Sequence, residues 1–441
     1  MANQNMTPAL PSAFDDHHPP SNKLIDTCVH CGFCLPACPT YVLWGQEMDS
    51  PRGRIYLMKL ASEGGVAINP QWVSHFDSCL GCMACMPACP SGVDYGKLIE
   101  ATRAQIERKH KRSIGERLNR QFILSTFTRP DRLRLMRWPL LAYQKSGLQA
   151  LLRKTGIVKL LPKKIRALEA LLPNLSASEA VAEVTPAQGQ KRLRVGLLLG
   201  CVQREFFPEI NAATARVLSA EGCEVVAPRE QACCGALLVH AGAEEAALTL
   251  ARETIDVFER AGVDRIVINA AGCGSNVKEY GHLLRDDTRY AERAAQFAAK
   301  CKDVSEILVE LESRAARHPL RVRVAFHDSC HLQHAQGVRL QPRSLLSKIP
   351  DLELVEIPES VICCGSAGIY NLVQPDTANA LGDRKAQLIA PLRADVIATG
   401  NPGCLIQLQS SLVRAGHKTP VVHTIQLLDA SIRDSKPDFL R

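Results

Sequence analysis

Short apolar runs recur along the second half of the chain, and each is followed by a loop. Six such runs lie at residues 195–199, 224–226, 265–269, 322–326, 352–356 and 395–398. Helical stretches, such as 243–260 and 377–392, lie between them. This alternation is typical of a parallel α/β sheet, in which the loops at the carboxyl ends of the strands meet at one edge. We therefore expect residues on these loops to lie close together.

Cysteines follow these runs in two matching sets. The first set is Cys201, Cys233, Cys234 and Cys273, and the second is Cys330, Cys363, Cys364 and Cys404. The intervals are 32, 1 and 39 residues in the first set and 33, 1 and 40 in the second. Glycine follows the cysteine pair in both. The agreement predicts two homologous Cys-Cys-Gly modules, module 1 at residues 192–318 and module 2 at 319–441.

Each set can gather four thiolates from three loops around a metal centre. An unusual iron–sulfur cluster, a zinc ion and a redox-active thiol pair all suit such a set. The alternative is that these are buried apolar cysteines, since free cysteine is among the most buried residue types. Their position on predicted loops favours a bound centre.

A denser cysteine pattern occurs twice near the start of the chain, with the copies 51 residues apart. The copies are Cys28-x2-Cys31-x2-Cys34-x3-Cys38-Pro39 and Cys79-x2-Cys82-x2-Cys85-x3-Cys89-Pro90. In bacterial ferredoxins this spacing gives three ligands to one [4Fe–4S] cluster and the fourth to the other. We therefore predict one cluster on Cys28, Cys31, Cys34 and Cys89, and another on Cys79, Cys82, Cys85 and Cys38. Structural zinc is the alternative.

These clusters would form the core of a mainly α-helical, ferredoxin-like domain at residues 23–96, preceded by a flexible lead at 1–22. Within it, Ser50 followed by Pro51 predicts the start of a helix. Such a two-cluster domain indicates an electron-transfer protein.

The segment 97–172 is basic and helical. Between Lys97 and Ala170 there are 19 Lys or Arg residues against 5 Asp or Glu, a local charge of +14 within a net charge of +8. Apolar residues alternate with these charges, which predicts amphipathic helices. The segment is either a solvated bridge between domains or a docking surface for anionic lipid or an acidic partner. Nucleic acid is not expected, because no aromatic stacking platform accompanies the charge. A linker follows at 173–191.

The remaining sequence features suggest a reducing compartment. Sixteen of the 18 cysteines fall into the sets above and leave Cys223 and Cys301 outside, so they are predicted to be ligands rather than disulfides. The first 21 residues lack the pattern of a secretory signal, and we expect a cytoplasmic protein. The sequence contains no dinucleotide fingerprint or Walker phosphate loop, so it indicates no flavin, nicotinamide or ATP site. His327, Asp328 and His331 surround Cys330 and can ligate metal or carry a proton, although loop capping is the commoner role.

The whole arrangement resembles the iron–sulfur subunits of the bacterial glycolate oxidase family. Related subunits occur in anaerobic glycerol-3-phosphate dehydrogenase, lactate utilisation and heterodisulfide reductase. The likeness is strongest in Cys28-Val-His-Cys-Gly-Phe-Cys-Leu-Pro-Ala-Cys-Pro-Thr-Tyr41 and Ser50-Pro-Arg-Gly-Arg-Ile-Tyr56. Heterodisulfide reductase modules end in Cys-x2-Cys, whereas here Ala270-Ala-Gly-Cys273 and Asn401-Pro-Gly-Cys404 keep only the second cysteine. Each centre therefore has one thiolate fewer than in that family.

The resemblance implies a multidomain protein of α+β and α/β type, with a helical two-cluster domain, a basic helical linker and two parallel α/β modules. It implies that FAD-containing partner subunits oxidise glycolate to glyoxylate, or D-lactate to pyruvate, while this chain relays the electrons towards quinone. The chain would be non-catalytic alone, and cytoplasmic or peripheral on the cytoplasmic face of the inner membrane. Three alternatives stay open. The chain is the iron–sulfur subunit of another flavin dehydrogenase, acting on lactate or glycerol-3-phosphate, or a heterodisulfide-type disulfide or quinone reductase that uses the Cys-Cys-Gly centres catalytically. The third is a regulatory or scaffold subunit that binds clusters without turnover.

Overall fold

The computed structural model describes residues 11–175 and 179–435. The first ten residues of the predicted lead, residues 176–178 of the predicted linker and the last six residues of module 2 lie outside this range. The chain divides into two compact units. Unit 1 comprises residues 1–120 with 238–244, and unit 2 comprises 121–237 with 245–441.

Unit 1 is helical, as the sequence predicts for its cysteine-rich part. Its helices are α1 (Asn22–Asp26), α2 (Pro39–Trp44), α3 (Pro51–Ser62), α4 (Pro70–Asp77) and α5 (Tyr95–Lys109). The predicted start of α3 is confirmed, because the Ser50 Oγ accepts the backbone N–H of Gly53 at 3.0 Å. The buried faces of α3, α4 and α5 form one apolar core that also contains Cys79 and Cys85. Cys79 and Cys85 therefore belong to the core rather than to a separate surface loop.

The described part of the predicted flexible lead is held in place. Phe14 is 6% exposed and packs edge-on against Trp72, with the ring centroids 6.1 Å apart. The Asp15 carboxylate accepts hydrogen bonds from Gln105 and Arg108, and these contacts lower its pKa to about 2. These contacts bring the described part of the lead against the rest of unit 1, while its flexibility stays a prediction.

The basic segment continues as helices, as predicted. These are α6 (Ile114–Phe127), α7 (Pro130–Lys145), α8 (Leu148–Thr155) and α9 (Lys163–Ala170), with a 3-10 turn at Ile157–Leu160. Among the helices of the described residues, none has both the length and the apolar character needed to cross a membrane.

Module 1 follows with a β-sheet and its covering helices. The elements are β1 (Val184–Thr185), β2 (Leu193–Leu198), α10 (Val202–Phe206), α11 (Pro208–Ala220), β3 (Cys223–Val226), α12 (Ala236–Ala241), α13 (Glu244–Arg260), β4 (Arg265–Ile268), α14 (Ala271–Lys278), α15 (Tyr280–Leu283), α16 (Ala291–Lys300), β5 (Cys301–Asp303) and α17 (Val304–Glu310). The strand order is β1-β3-β2-β4-β5.

Module 2 repeats the design. Its elements are β6 (Val322–Phe326), a π-helical turn at His331–Ala335, α18 (Leu340–Leu346), β7 (Leu352–Glu356), α19 (Tyr370–Val373), α20 (Pro375–Ile389), a 3-10 turn at Ala390–Leu392, β8 (Val396–Thr399), α21 (Pro402–Arg414), β9 (Val421–His423) and α22 (Thr424–Ile432). The strand order is β7-β6-β8-β9, and all neighbouring strands are parallel.

The predicted parallel sheets are confirmed, with one exception. Val184 and Thr185, inside the predicted linker, form β1 and pair antiparallel with β3. The sheet of module 1 is therefore mixed at its edge. A two-residue strand has no periodicity of its own, and tertiary pairing alone reveals it. The same reason explains why the short strands β5 and β9 were not predicted.

Within unit 2, the two modules share one apolar core. It contains Val195 and Val225 of the first sheet together with Val324 and Val396 of the second. Helices α11 and α22 pack against each other there, and Arg216 Nη2 lies 2.7 Å from an Asp429 carboxylate oxygen. The modules are therefore parts of one folded unit.

Candidate functional site

The first predicted set of cysteines lies around one cavity in unit 1. Cys28, Cys31, Cys34 and Cys89 all line it, and Cys85 of the other set borders it as well. The empty space measures about 400 Å³. Cys31 is exposed, and the neighbouring Val29 and Phe33 are each 66% exposed. This cavity is therefore at the surface.

The second predicted set lies around a neighbouring cavity of about 300 Å³, lined by Cys38, Cys79, Cys82 and Cys85. All four of these cysteines are buried. The structure thus places Cys38 with the second run and Cys89 with the first, which is the arrangement that crossed ligation requires. The ligand assignment itself stays a prediction, tested in the Discussion.

Both cysteine runs use the same backbone turns to gather their thiols. Two residues after the first cysteine, His30 and Gly81 have φ angles of 52° and 64°, and two residues later Gly32 and Met83 have 87° and 60°. Left-handed conformations are unfavourable for residues other than glycine, so His30 and Met83 are held there by their surroundings. The repeated turns let three closely spaced cysteines border one cavity.

Arg54 is a functional residue that the cysteine pattern does not reveal. Its guanidinium is 1% exposed, lies 3.9 Å from the Cys38 sulfur, and donates to Ser78 Oγ at 2.9 Å and to the His75 carbonyl oxygen at 2.6 Å. It sits one residue after Gly53, whose lack of a Cβ lets α3 approach the Glu47 carbonyl. The sequence signal is the Arg52-Gly53-Arg54 step, in which Arg52 borders the first cavity and Arg54 lies beside Cys38 of the second.

Nearby positive charges favour the thiolate form of Cys79 in the second cavity. Burial raises the pKa of Cys79, but Arg54 and Arg103 outweigh it, and the net pKa is lowered. The Tyr95 hydroxyl also lies 3.5 Å from the Cys79 sulfur. Burial raises the pKa of Cys85 well above its usual range and that of Cys34 to about 11. Such thiols stay protonated on their own, and a bound metal ion would deprotonate them on coordination.

The four cysteines of module 1 also come together. The sulfurs of Cys201 and Cys233 are 3.5 Å apart, Cys234 follows in the chain, and the Cys234 thiol contacts that of Cys273. Cys201, Cys233 and Cys234 are buried, whereas Cys273 is partly exposed. The set lies where β2, β3 and β4 end, as the parallel fold predicts.

Module 2 assembles its four cysteines in the same way. The sulfurs of Cys330 and Cys363 are 3.9 Å apart, and the Cys364 thiol contacts that of Cys404. The amide of Asn401 donates to the Cys404 sulfur at 3.5 Å. All four cysteines are buried.

The polar residues near Cys330 differ in role. Asp328 pairs with both terminal nitrogens of Arg343, at 2.9 and 2.7 Å, which is a structural contact. The His331 ring nitrogen Nδ1 lies 3.5 Å from the Cys330 sulfur. His327 Nδ1 lies 3.0 Å from the Thr399 hydroxyl oxygen, whereas its buried Nε2 has no hydrogen-bond partner among the described residues.

A second polar cluster was not predicted from the sequence. Donor atoms of His17, His18 and Glu244 lie within 4.8 Å of one another in unit 1. The Arg108 guanidinium binds the same carboxylate at 3.0 Å. Because that positive charge would repel a bound cation, we infer that the cluster is a structural contact that holds the lead in place.

The donor atoms of all four cysteine sets fit metal–sulfur centres. Thiolates are the soft ligands that iron–sulfur clusters use, and each set supplies four of them. Cys223 and Cys301, which the sequence left outside the sets, are buried on β3 and β5. The sites therefore suit electron transfer better than acid–base chemistry.

Comparison with protein families agrees with this chemistry. A model described as a 4Fe-4S dicluster domain matches residues 27–93, and a cysteine-rich domain matches 195–278 and 324–409. A third model, described as the linker region of the glycolate oxidase iron-sulfur subunit, matches residues 115–172.

Two curated relatives match over nearly the whole chain, and a third matches about half of it. A probable glycolate oxidase iron-sulfur subunit of Bacillus subtilis is 41% identical over 410 residues, which cover 91% of this chain and 92% of that protein. The glycolate oxidase iron-sulfur subunit of Escherichia coli is 38% identical over 420 residues, 93% of this chain and 95% of its own. Lactate utilization protein A of an Exiguobacterium species is 29% identical and covers 55% of this chain and 99% of its own.

Proposed function

This chain belongs to the family of glycolate oxidase iron–sulfur subunits, and from that membership we propose that it relays electrons in a complex that oxidises glycolate to glyoxylate. The observation that carries the proposal is the pair of neighbouring cavities in unit 1, each bordered by four cysteines of a repeated ferredoxin-type run. When bound there, [4Fe–4S] clusters accept and release single electrons.

The chain's own residues would set the direction of transfer. Cys31 is exposed beside Val29 and Phe33, so the first centre is the one that a partner subunit can approach. The second centre is buried beside Arg54, whose positive charge stabilises extra negative charge on the cysteines.

The substrate is oxidised on another chain. Removing a hydride or its equivalent from a 2-hydroxy acid suits a flavin, whereas clusters pass single electrons. We therefore assign FAD and the substrate pocket to partner subunits, with glycolate as the substrate and D-lactate as the alternative. The electrons leave towards a quinone.

Quinones lie in membranes, and the basic segment offers a surface that can contact a membrane. Its helices leave large apolar side chains in solvent among the positive charges: Trp138 is 64% exposed and Leu160 is 84% exposed. A solvated bridge would not expose such residues, whereas a helix that rests on anionic lipid uses both features. We place this surface on the cytoplasmic face of the inner membrane.

The relay is tested by reconstitution. The isolated, cluster-loaded chain should not reduce a dye with glycolate, and activity should appear when the FAD-bearing subunits are added. In the complex, Cys31→Ser or Cys82→Ser should stop reduction of quinone while glycolate still bleaches the partner's flavin. Turnover of glycolate by the isolated chain would overturn the relay and favour a catalytic role for the Cys-Cys-Gly centres.

A further inference from the structure

The two Cys-Cys-Gly modules can be aligned through one contact that each loop makes with a helix, α13 in module 1 and α20 in module 2. Gly235 and Gly365, with φ angles of 83° and 92°, both lie against an alanine of that helix. A Cβ at Gly235 would lie 3.3 Å from the Ala247 carbonyl oxygen, and one at Gly365 would lie 2.5 Å from that of Ala378. Ala247 of α13 and Ala378 of α20 are therefore equivalent.

Seven residues beyond these alanines the two modules differ in charge. Module 1 has Thr254 and module 2 has Lys385, and each is 1% exposed. The Thr254 hydroxyl is satisfied within its own helix, where it donates to the Leu250 carbonyl oxygen at 2.8 Å. A buried ammonium is far more costly than a buried hydroxyl unless negative charge lies close to it.

Lys385 lies beside the Cys-Cys-Gly loop of module 2, because the next residue of α20, Ala386, packs in the same buried cluster as Cys364. The Lys385 Nζ donates to the main-chain carbonyl oxygen of Glu359, not to a carboxylate. The Glu359 carboxylate is itself bound by Arg384 at 2.7 and 2.8 Å. Burial lowers the pKa of Lys385, and negative charge on Cys364 and Cys363 opposes this most strongly.

The same asymmetry appears on the first loop of each module. His327 lies three residues before Cys330, and the equivalent residue before Cys201 is the buried Leu198. His331 follows Cys330, whereas Val202 follows Cys201. Cys201 precedes an α-helix and Cys330 a π-helical turn, a departure that is frequent at functional sites. The thiols of module 1 therefore have apolar neighbours where those of module 2 have polar ones.

We propose that Lys385 is the counter-ion of an anionic metal–thiolate centre held by Cys330, Cys363, Cys364 and Cys404, and that the equivalent Thr254 supplies no such charge to the centre of module 1. The inference rests on the proposed function for the presence of metal–sulfur centres, and it goes further by making the two centres unequal. A nearby ammonium stabilises the state with one more electron, and hence one more negative charge, so it raises the reduction potential of module 2.

The test is a potentiometric titration of the full chain, purified anaerobically, with dithionite as the electron donor. The spectroscopic signal of the module 2 centre is identified as the one that is lost in Cys363→Ser and kept in Cys233→Ser. Lys385→Met keeps the side-chain length and removes the charge. We expect its midpoint potential to fall by at least about 59 mV, a tenfold change in the ratio of oxidised to reduced centre for one electron. Lys385→Arg should restore it.

The matched control is Thr254→Val in module 1, which should leave the module 2 potential unchanged. If Lys385→Met does not accumulate as folded protein, Lys385→Gln and Lys385→Arg make the same comparison. An unchanged potential in the uncharged variant, or a Cys363→Ser variant that loses no iron or spectroscopic signal, would overturn the proposal. Neither result affects the clusters of unit 1 or glycolate-dependent flavin bleaching, so the proposed function is judged separately.

Discussion

The backbone N–H of Ala271 donates a 3.1 Å hydrogen bond to the carbonyl oxygen of Gly400. Ala271 lies two residues before Cys273, and Gly400 lies four residues before Cys404. The Asn401 side chain strengthens this junction, because its Oδ1 accepts from the Gly272 N–H at 3.3 Å while its Nδ2 donates to the Cys404 sulfur. The loop that carries Cys273 in module 1 is thus hydrogen-bonded to the loop that carries Cys404 in module 2.

Crossed ligation in unit 1 predicts an effect on the distant run. Replacement Cys38→Ser should damage the centre of Cys79, Cys82 and Cys85, because all four line the same buried cavity. Anaerobic reconstitution followed by iron counting and electron paramagnetic resonance measures this. About eight irons are expected in the two ferredoxin-type sites of the wild type, and about four should remain there in the variant. Cys89→Ser is the matched control, since it should remove the other signal. Loss of the same signal in both variants would contradict the crossing.

Arg54 should stabilise both the fold and the charge of the second centre. Arg54→Met removes a buried guanidinium and its contacts with Ser78 and Asp49, so it should cost about 3 kcal/mol of stability. It should also lower the reduction potential of the second centre. Arg52→Met is the control on the same helix, because Arg52 forms its ion pair with Glu47 nearer the surface. Equal effects of the two substitutions on that potential would contradict the assignment.

The sequence predicts those parts of this molecule that repeat. Regular spacing reveals the two cysteine runs, the matched intervals before Cys273 and Cys404, and the apolar strands. It does not reveal the roles of Arg54 and Lys385, because burial of a charged side chain depends on which distant residues surround it. The strand at Val184 and Thr185 is likewise defined by its partner β3. Pairwise tertiary contacts, which one sequence does not encode in any local pattern, account for these differences.

The anchoring of the lead gives a separate prediction. Phe14→Ala removes the ring that packs against Trp72 and should cost about 3 kcal/mol, within the range for large-to-small core changes. Limited proteolysis should then cut near residues 11–21 faster than in the wild type. Phe33→Ala removes an aromatic ring of the same size from an exposed position and should not change the cleavage rate. Equal cleavage of wild type and Phe14→Ala would show that the ion pairs of Asp15 alone hold the segment.

The basic segment should bind anionic vesicles through charges that are free to reach them. Arg134 and Arg137 are poor choices for a test, because Arg134 bonds to the buried Glu205 and Arg137 is itself buried. Lys154 and Lys159 are exposed on α8 and on the turn that follows it, next to Leu160.

We expect Lys154→Gln with Lys159→Gln to weaken binding of the full chain to phosphatidylglycerol vesicles by roughly 30-fold. Each basic residue near an anionic surface contributes about 1 kcal/mol, and a tenfold change corresponds to about 1.4 kcal/mol. Raising the salt concentration to about 1 M shortens the screening length to about 3 Å and should weaken binding of the wild type more strongly, because it screens every charge of the segment. Leu160→Ser should weaken binding that persists at high salt.

The matched control is Arg229→Gln with Arg321→Gln, which removes two exposed charges elsewhere in unit 2. Sedimentation with vesicles measures all four proteins. Equal loss in the control pair, or equal binding to neutral phosphatidylcholine vesicles, would show that the segment does not recognise anionic lipid and would leave an acidic partner subunit as its occupant.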